Sequence, residues 1–206
     1  DVTFQTAMTE DLAVTFIRPM PDRAVRELAH LPGVTRAEGM RVVPVRFSSG
    51  HRHRDSMIEG HPPDLSLRTL YDLHGEVVEV PREGVLLEGK LAEILGVGVS
   101  DTVTVQVREG QRGTFEVPVT GVIDTMYGLQ GFMHIDTVNR LLSEGRTVSY
   151  VLLDIDPARM DDVRARLRDM RGVHGLFART ALIERVRAQT GETWGAMTFI
   201  LTLFAV

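Results

Sequence analysis

The sequence predicts an α+β domain in which two βαβ units flank a small β-rich insert, followed by a C-terminal helix that runs into the start of a membrane span. Three observations carry this. Two well-separated segments share one pattern of strand, proline turn, helix, glycine stop and strand. Between them lie short alternating apolar runs bounded by turn residues, as strands of a small sheet require. Last, the run from Met197 to Val206 (MTFILTLFAV) contains no charge, proline or glycine.

The first repeat spans residues 12–47. It opens on an apolar alternation, Leu12, Val14 and Phe16. Pro19 and Pro21 then mark a turn that starts a helix, since proline is tolerated in a first helical turn. Val25, Leu28 and Ala29 share one helical stripe. Leu31-Pro32-Gly33-Val34 is the stop, and a strand follows. The second repeat spans residues 149–179. Here the strand is Tyr150 to Ile155, the turn is at Pro157, and Met160, Val163, Leu167 and Met170 form the apolar stripe. Met170-Arg171-Gly172-Val173 is its stop. Two such units pair into one sheet with both helices on one face, as in ferredoxin-like folds. This places the first βαβ half in residues 1–55 and the second in residues 147–182.

The insert, residues 56–146, reads as strands and turns with two short helices. Val77 to Val80 and Val85 to Leu87 are strand-like, and Lys90 to Leu95 is a short helix stopped by Gly96. Ser100-Asp101 turns into a strand from Thr102 to Arg108, with Val103, Val105 and Val107 on one face. A loop from Glu109 to Gly113 returns the chain as a strand from Thr114 to Asp124. Phe132 to Ile135 is the next strand, and Asp136 is expected to cap a helix from Thr137 to Leu142.

Residues 183–206 are expected to be a linker helix and the beginning of a transmembrane helix. Ala181, Leu182, Val186 and Ala188 give one apolar face, and Trp194 suits a membrane–water boundary. A spanning helix needs about 20 apolar residues, and the final run is about half that length. It therefore reads as a span cut midway, with the alternative of a C-terminal helix buried on the domain's own core. Asp1, without initiator methionine or signal peptide, likewise reads as a cut or processed end.

At 206 residues, 43% hydrophobic and 25% charged, the chain is long enough for a real core. Its net charge of -5 argues against a nucleic-acid partner. The absence of cysteine removes thiol catalysis, thiolate metal sites and disulfides.

No arrangement of side chains points to catalysis, a cofactor or a metal. His51-Arg52-His53-Arg54-Asp55 places two imidazoles near a carboxylate, with His61 and His74 not far off, but the flanking arginines repel a cation. His30 and His174 sit beside the two helix stops, where a ring satisfies terminal carbonyls. Ser48-Ser49-Gly50 lacks the strand–turn–helix setting of a nucleophile elbow. Gly96-Val97-Gly98 is a helix end and not a phosphate loop. Asp161 and Asp162 fall in a first helical turn, where capping accounts for them. One stretch suits contact: Met126, Tyr127, Leu129 and Phe132 surround two glycines. Folded back they are core, which is the preferred reading; exposed, they would grip an apolar partner.

Several of these motifs occur in an order that resembles the extracytoplasmic domain of FtsX-like (MacB-type) ABC transporter permeases. They are Leu91-Ala92 with Leu95-Gly96, the turn Ser100-Asp101-Thr102, and Val119-Thr120-Gly121-Val122-Ile123-Asp124. Met133-His134-Ile135 with Leu141-Leu142, and VSYVLLDID from Val148, complete the set. Ser100 stands where the pattern has glycine, a departure that touches turn geometry only. The resemblance implies a porter-type subdomain made from the two βαβ halves and a sabre-type subdomain made from the insert. It implies a non-catalytic domain on the extracytoplasmic side of the cell membrane, in a permease that dimerises and is driven by a separate cytoplasmic ATPase. Such a domain passes transmembrane helix motion to an extracytoplasmic substrate or partner, in export of lipoproteins, peptides or drugs or in control of cell-wall hydrolases. The alternative is a membrane-tethered ligand-binding or sensory domain.

Overall fold

The computed structural model describes residues 8–110, 112–125 and 128–178. Its strands are β1 (Leu12–Pro21), β2 (Val34–Ser49), β3 (Arg52–His61), β4 (Val85–Glu88), β5 (Thr102–Val107), β6 (Thr114–Ile123), β7 (Gly131–His134), β8 (Thr147–Ile155) and β9 (Val173–Ala178). Four α-helices interleave them: α1 (Arg23–Ala29), α2 (Gly89–Leu95), α3 (Ile135–Leu141) and α4 (Met160–Asp169). The fold is thus α+β and dominated by strands.

The strands form two sheets that share β2. Four of them, in the order β9-β1-β8-β2, are antiparallel throughout. Leu28 of α1 and Val163 and Leu167 of α4 all pack in one cluster with Leu12, Val14, Val151 and Leu153, so both helices lie on the same face. Of the stripes read from the two repeats, Val25, Leu28, Met160, Val163, Leu167 and Met170 pack there, whereas Ala29 is exposed and Ala24 is buried in its place. Gly39 lets α1 come close, because a Cβ on it would stand 2.7 Å from Val25 Cγ2.

Beyond Met40, β2 leaves this sheet and enters a second one. There β2 pairs with β3 and β5, β3 with β7, β7 with β4, β4 with β6, and β6 with β5, which closes a six-stranded ring. The ring is mixed, since β3–β7 and β4–β6 are parallel. Closure leaves no unpaired edge to protect. Alternating residues of β5 and β6, Val103, Val105, Val107, Val117 and Val119, fill its interior with Phe47 and Leu87. α2 closes the end at the β2–β3 turn, contributing Leu91, Ala92 and Leu95. α3 closes the end facing the other sheet, contributing Val138 inside the ring and Ile135 to the neighbouring core.

Local chemistry sets several boundaries. Glu88 caps α2, accepting from the Lys90 amide at 2.9 Å, and Gly96 ends that helix in the left-handed region at φ 69°. α3 begins earlier than the sequence indicates: its cap is His134, whose Nδ1 accepts from the Asp136 amide at 3.3 Å, and Asp136 lies in the first turn. Val77 to Val80 do not form a strand. The Asp72 carboxylate accepts from the amides of His74 (2.8 Å) and Glu76 (2.9 Å), curling the chain into a turn that leaves only a bridge from Tyr71 to Val77. β1 runs through both prolines, and its pairing with β8 slips between Thr15 and Met20, which accommodates Pro19. Among the described residues no helix is long and apolar enough to cross a membrane. The linker helix and apolar tail expected in residues 183–206 lie outside the described residues.

Candidate functional site: the junction and the contact loop

The two sheets meet at Arg41, which follows Met40, the last residue of β2 paired to β8, and is 0% exposed. Burying a guanidinium is costly unless every N–H finds an acceptor. Here all five N–H groups do. Nε and Nη2 reach the Glu144 carboxylate at 3.1–3.2 Å, and Nη2 also binds Glu109. Nη1 donates to the Val42 carbonyl and to Ser149 Oγ, both at 2.9 Å. Glu144 is held in turn by Thr147 Oγ1 at 2.8 Å. One side chain thus ties β2, the β5–β6 hairpin, the loop after α3, and β8. A solitary arginine inside the apolar run Met40-Arg41-Val42-Val43 was the available signal for it, and sequence reasoning missed it.

Of the candidate contact stretch, the described residues Leu129 and Phe132 do not share one environment. Phe132 points out of the closed sheet but is 1% exposed, covered in a cluster with Leu70, Leu86 and Ile123. His61 meets its ring edge-on at 5.6 Å. Leu129 is half-buried against the core of the closed sheet, and its carbonyl accepts from Ser56 Oγ. Met126 and Tyr127 lie outside the described residues.

The remaining candidates are placed as follows. His51 and His53 are exposed at the β2–β3 turn. Asp55 is engaged by Arg46 through two bonds of 2.7 Å, and these hold its carboxyl below the ordinary range. His61 is buried, with Nε2 3.0 Å from Glu59 Oε2. His30 Nδ1 lies 2.6 Å from the Arg26 carbonyl, capping α1 as its position implies. His174 is exposed on β9, and Asp161 and Asp162 occupy the first turn of α4. Among the described residues no group of three or more His, Asp or Glu could hold a metal ion.

No family model matches the sequence, and no curated protein does. Solved structures do match. The periplasmic region of MacB from Actinobacillus actinomycetemcomitans aligns with a TM-score of 0.55 at 8% identity, over 89% of this chain and 95% of that one. The extracellular domain of the noncanonic ABC-type transporter YknZ from Gram-positive bacteria aligns with a TM-score of 0.51 at 14% identity, over 81% of this chain and 98% of that one. The chain therefore has the fold of the MacB-like periplasmic and extracellular domains of ABC-type transporters.

Proposed function

We propose that this chain is the extracytoplasmic domain of an ABC permease subunit and works as a non-catalytic transmitter. In this reading transmembrane helix motion, driven by a cytoplasmic ATPase on another chain or domain, is carried through the domain to an extracytoplasmic substrate or partner. The full permease would act as a dimer in the cell membrane. The four-stranded sheet with its two helices then corresponds to a ferredoxin-like, porter-type subdomain, and the closed sheet to a sabre-type subdomain. In this reading β2 gives its first part, up to Met40, to the porter-type subdomain and its second part, with β3, to the sabre-type subdomain, and β8 begins the second porter-type half at Thr147. Of the candidate contact residues, Leu129, half-buried against the closed sheet, would be the one that retains surface for a partner, while Phe132 serves the fold.

The observation that carries the reading is the alignment over most of both chains with two transporter domains of this kind. The junction agrees with it, since a transmitter must move as one body and the buried Arg41, with every N–H bonded, ties the sheets.

The test is topological. His53→Cys in the full-length gene product should react with a membrane-impermeant maleimide in intact cells, against the unsubstituted protein as background. Labelling only after lysis would overturn the assignment. Spin labels on β9 and the β2–β3 turn in the membrane-embedded complex should then report displacement on ATP binding. A domain that stays still through the ATP cycle would not be a transmitter.

A further inference from the structure

The connection between β3 and β4, residues 62–84, leaves the closed sheet and returns to it. On the outward path it crosses the face of the four-stranded sheet opposite the helices. Leu67 is 3% exposed there, packed with Met40, Met57, Tyr150 and Leu152. Glu38 on β2 anchors it, accepting from the Ser66 amide (2.9 Å), the Ser66 hydroxyl (2.6 Å) and the Leu67 amide (2.8 Å). On the way back, Leu70, Val78 and Val80 pack in the cluster that covers Phe132 and Leu86.

This strap also holds the segment ahead of β1. The Thr9 amide donates to the Leu67 carbonyl at 2.9 Å, and Met8 bridges to Arg68. An ion pair lies beneath the crossing. Arg68 Nη2 bonds to Glu10, with side chains only 14% and 4% exposed, and Nη1 donates to the Tyr150 hydroxyl at 3.1 Å. Yet the pair is incompletely satisfied, because Glu10 Oε2 and Arg68 Nε are buried without a hydrogen-bond partner. A partly satisfied buried network is less favourable than a complete one or an apolar filling. The contrast with Arg41, where every N–H is bonded, marks the strap as the weaker of the two fastenings. Segments of that kind open locally at lower free energy than the sheets they cover.

We infer that the strap around Ser66–Arg68 and the segment Met8–Glu10 form a latch that opens as one unit. The Glu10–Arg68 pair closes it, and its opening uncovers the apolar face around Met40, Met57 and Tyr150. The latch is a property of the chain itself and stands apart from the transport reading.

The chain has no cysteine, so Leu67→Cys supplies a single buried thiol whose labelling rate reads opening. In that background Glu10→Gln and Arg68→Met should each accelerate labelling about tenfold, because each removes the bond between the two segments and leaves its partner buried, with the charge of Glu59 nearby but not bonded to it. The double variant E10Q/R68M, which removes both charges, should return toward the parent rate. Hydrogen exchange supplies the second readout, without the cysteine. In E10Q the Thr9 and Leu67 amides should exchange faster by the same factor, while Val151 and Leu153 in β8 keep their wild-type rates. Glu38→Gln, which loosens the other anchor, should raise Thr9 exchange and, in the Leu67→Cys background, labelling of the introduced thiol together. Equal acceleration of the β8 amides would reduce the pair to a general stabiliser and overturn the latch. So would an unchanged labelling rate, or Thr9 and Leu67 responding by different factors.

Discussion

Leu12 and Ala178 stand opposite each other in register across β1 and β9. Leu12 is also paired to Leu153, and β8 meets β2 at Ala37 through that same residue, whereas Met40 pairs with Tyr150 further along. The chain thus enters and leaves the four-stranded sheet side by side, at the end away from Arg41 and the closed sheet. In the proposed reading, attachment at that end would leave the closed sheet and the β2–β3 turn farthest from it.

That register can be fixed chemically. Opposed residues on antiparallel strands bring Cα atoms about 4.5–5.5 Å apart, within the range a disulfide spans. In this cysteine-free chain, Leu12→Cys with Ala178→Cys should cross-link on mild oxidation. The oxidised form should unfold at higher urea than its own reduced form, by up to about 5 kcal/mol for so long a loop. Failure to cross-link in the folded protein would contradict the pairing.

Arg41→Met should destabilise the domain by about 2–4 kcal/mol, toward the lower side of what breaking a buried ion pair costs. The discount reflects the carboxylates, since Glu109 and Glu144 keep side-chain exposures of 31% and 29% and water recovers part of the loss. Adding Glu109→Gln and Glu144→Gln should restore much of the stability in urea melts. If the single variant melts like the parent, the junction is not tied by this residue.

Ser100 occupies the left-handed region at φ 77°, in the turn where the resembling pattern has glycine. A side chain there costs about 1–2 kcal/mol that glycine avoids, offset by about 0.5–1 kcal/mol of extra freedom in the unfolded chain. Ser100→Gly should therefore stabilise by a few tenths to about 1 kcal/mol. A lower urea midpoint would mean that the serine side chain has an unrecognised role.

How much of this was legible depended on whether a feature was local. The helix stop at Gly96, the alternation of Val103, Val105 and Val107, and the stripe Met160, Val163, Leu167 and Met170 are properties of adjacent residues, and the structure has them where the sequence put them, while in the first helix Ala24 is buried and Ala29 is exposed. The passage of β2 from one sheet to another was not legible, because Met40, Val42, Val43 and Val45 read the same beside either set of neighbours. Arg41 carried a signal, a charge inside an apolar run, but its partners Glu109 and Glu144 come from elements 68 and 103 residues away. The misplaced cap at α3 is a smaller case: Asp136 has the usual capping chemistry, and the imidazole of His134 took the role because β7 delivers the chain there in extended geometry.

Stability should also fall in acid through Glu59. Burial alone would push this carboxyl up, but the hydrogen bond from His61 and the positive charges of His61 and Arg68 outweigh burial and hold it below its ordinary value. A lowered value means that, in the window between the folded and unfolded titrations, the unfolded chain binds more protons than the native one. The stabilisation is then complete above the ordinary carboxylate range, near about pH 4.3, and disappears as pH falls through the lower, folded value. Glu88 acts in the opposite direction. Burial raises it against the bonds from the Lys90, Leu91 and Thr125 amides, so its contribution is full below the ordinary range and shrinks as pH rises through its folded value. Asp55, though lowered, is 63% exposed and should add little. Urea unfolding from about pH 6 to about pH 3 should show Glu59→Gln less stable than the parent at the upper end and converging with it at the lower. Parallel curves for the two proteins would mean that the Glu59–His61 contact contributes nothing to the pH dependence.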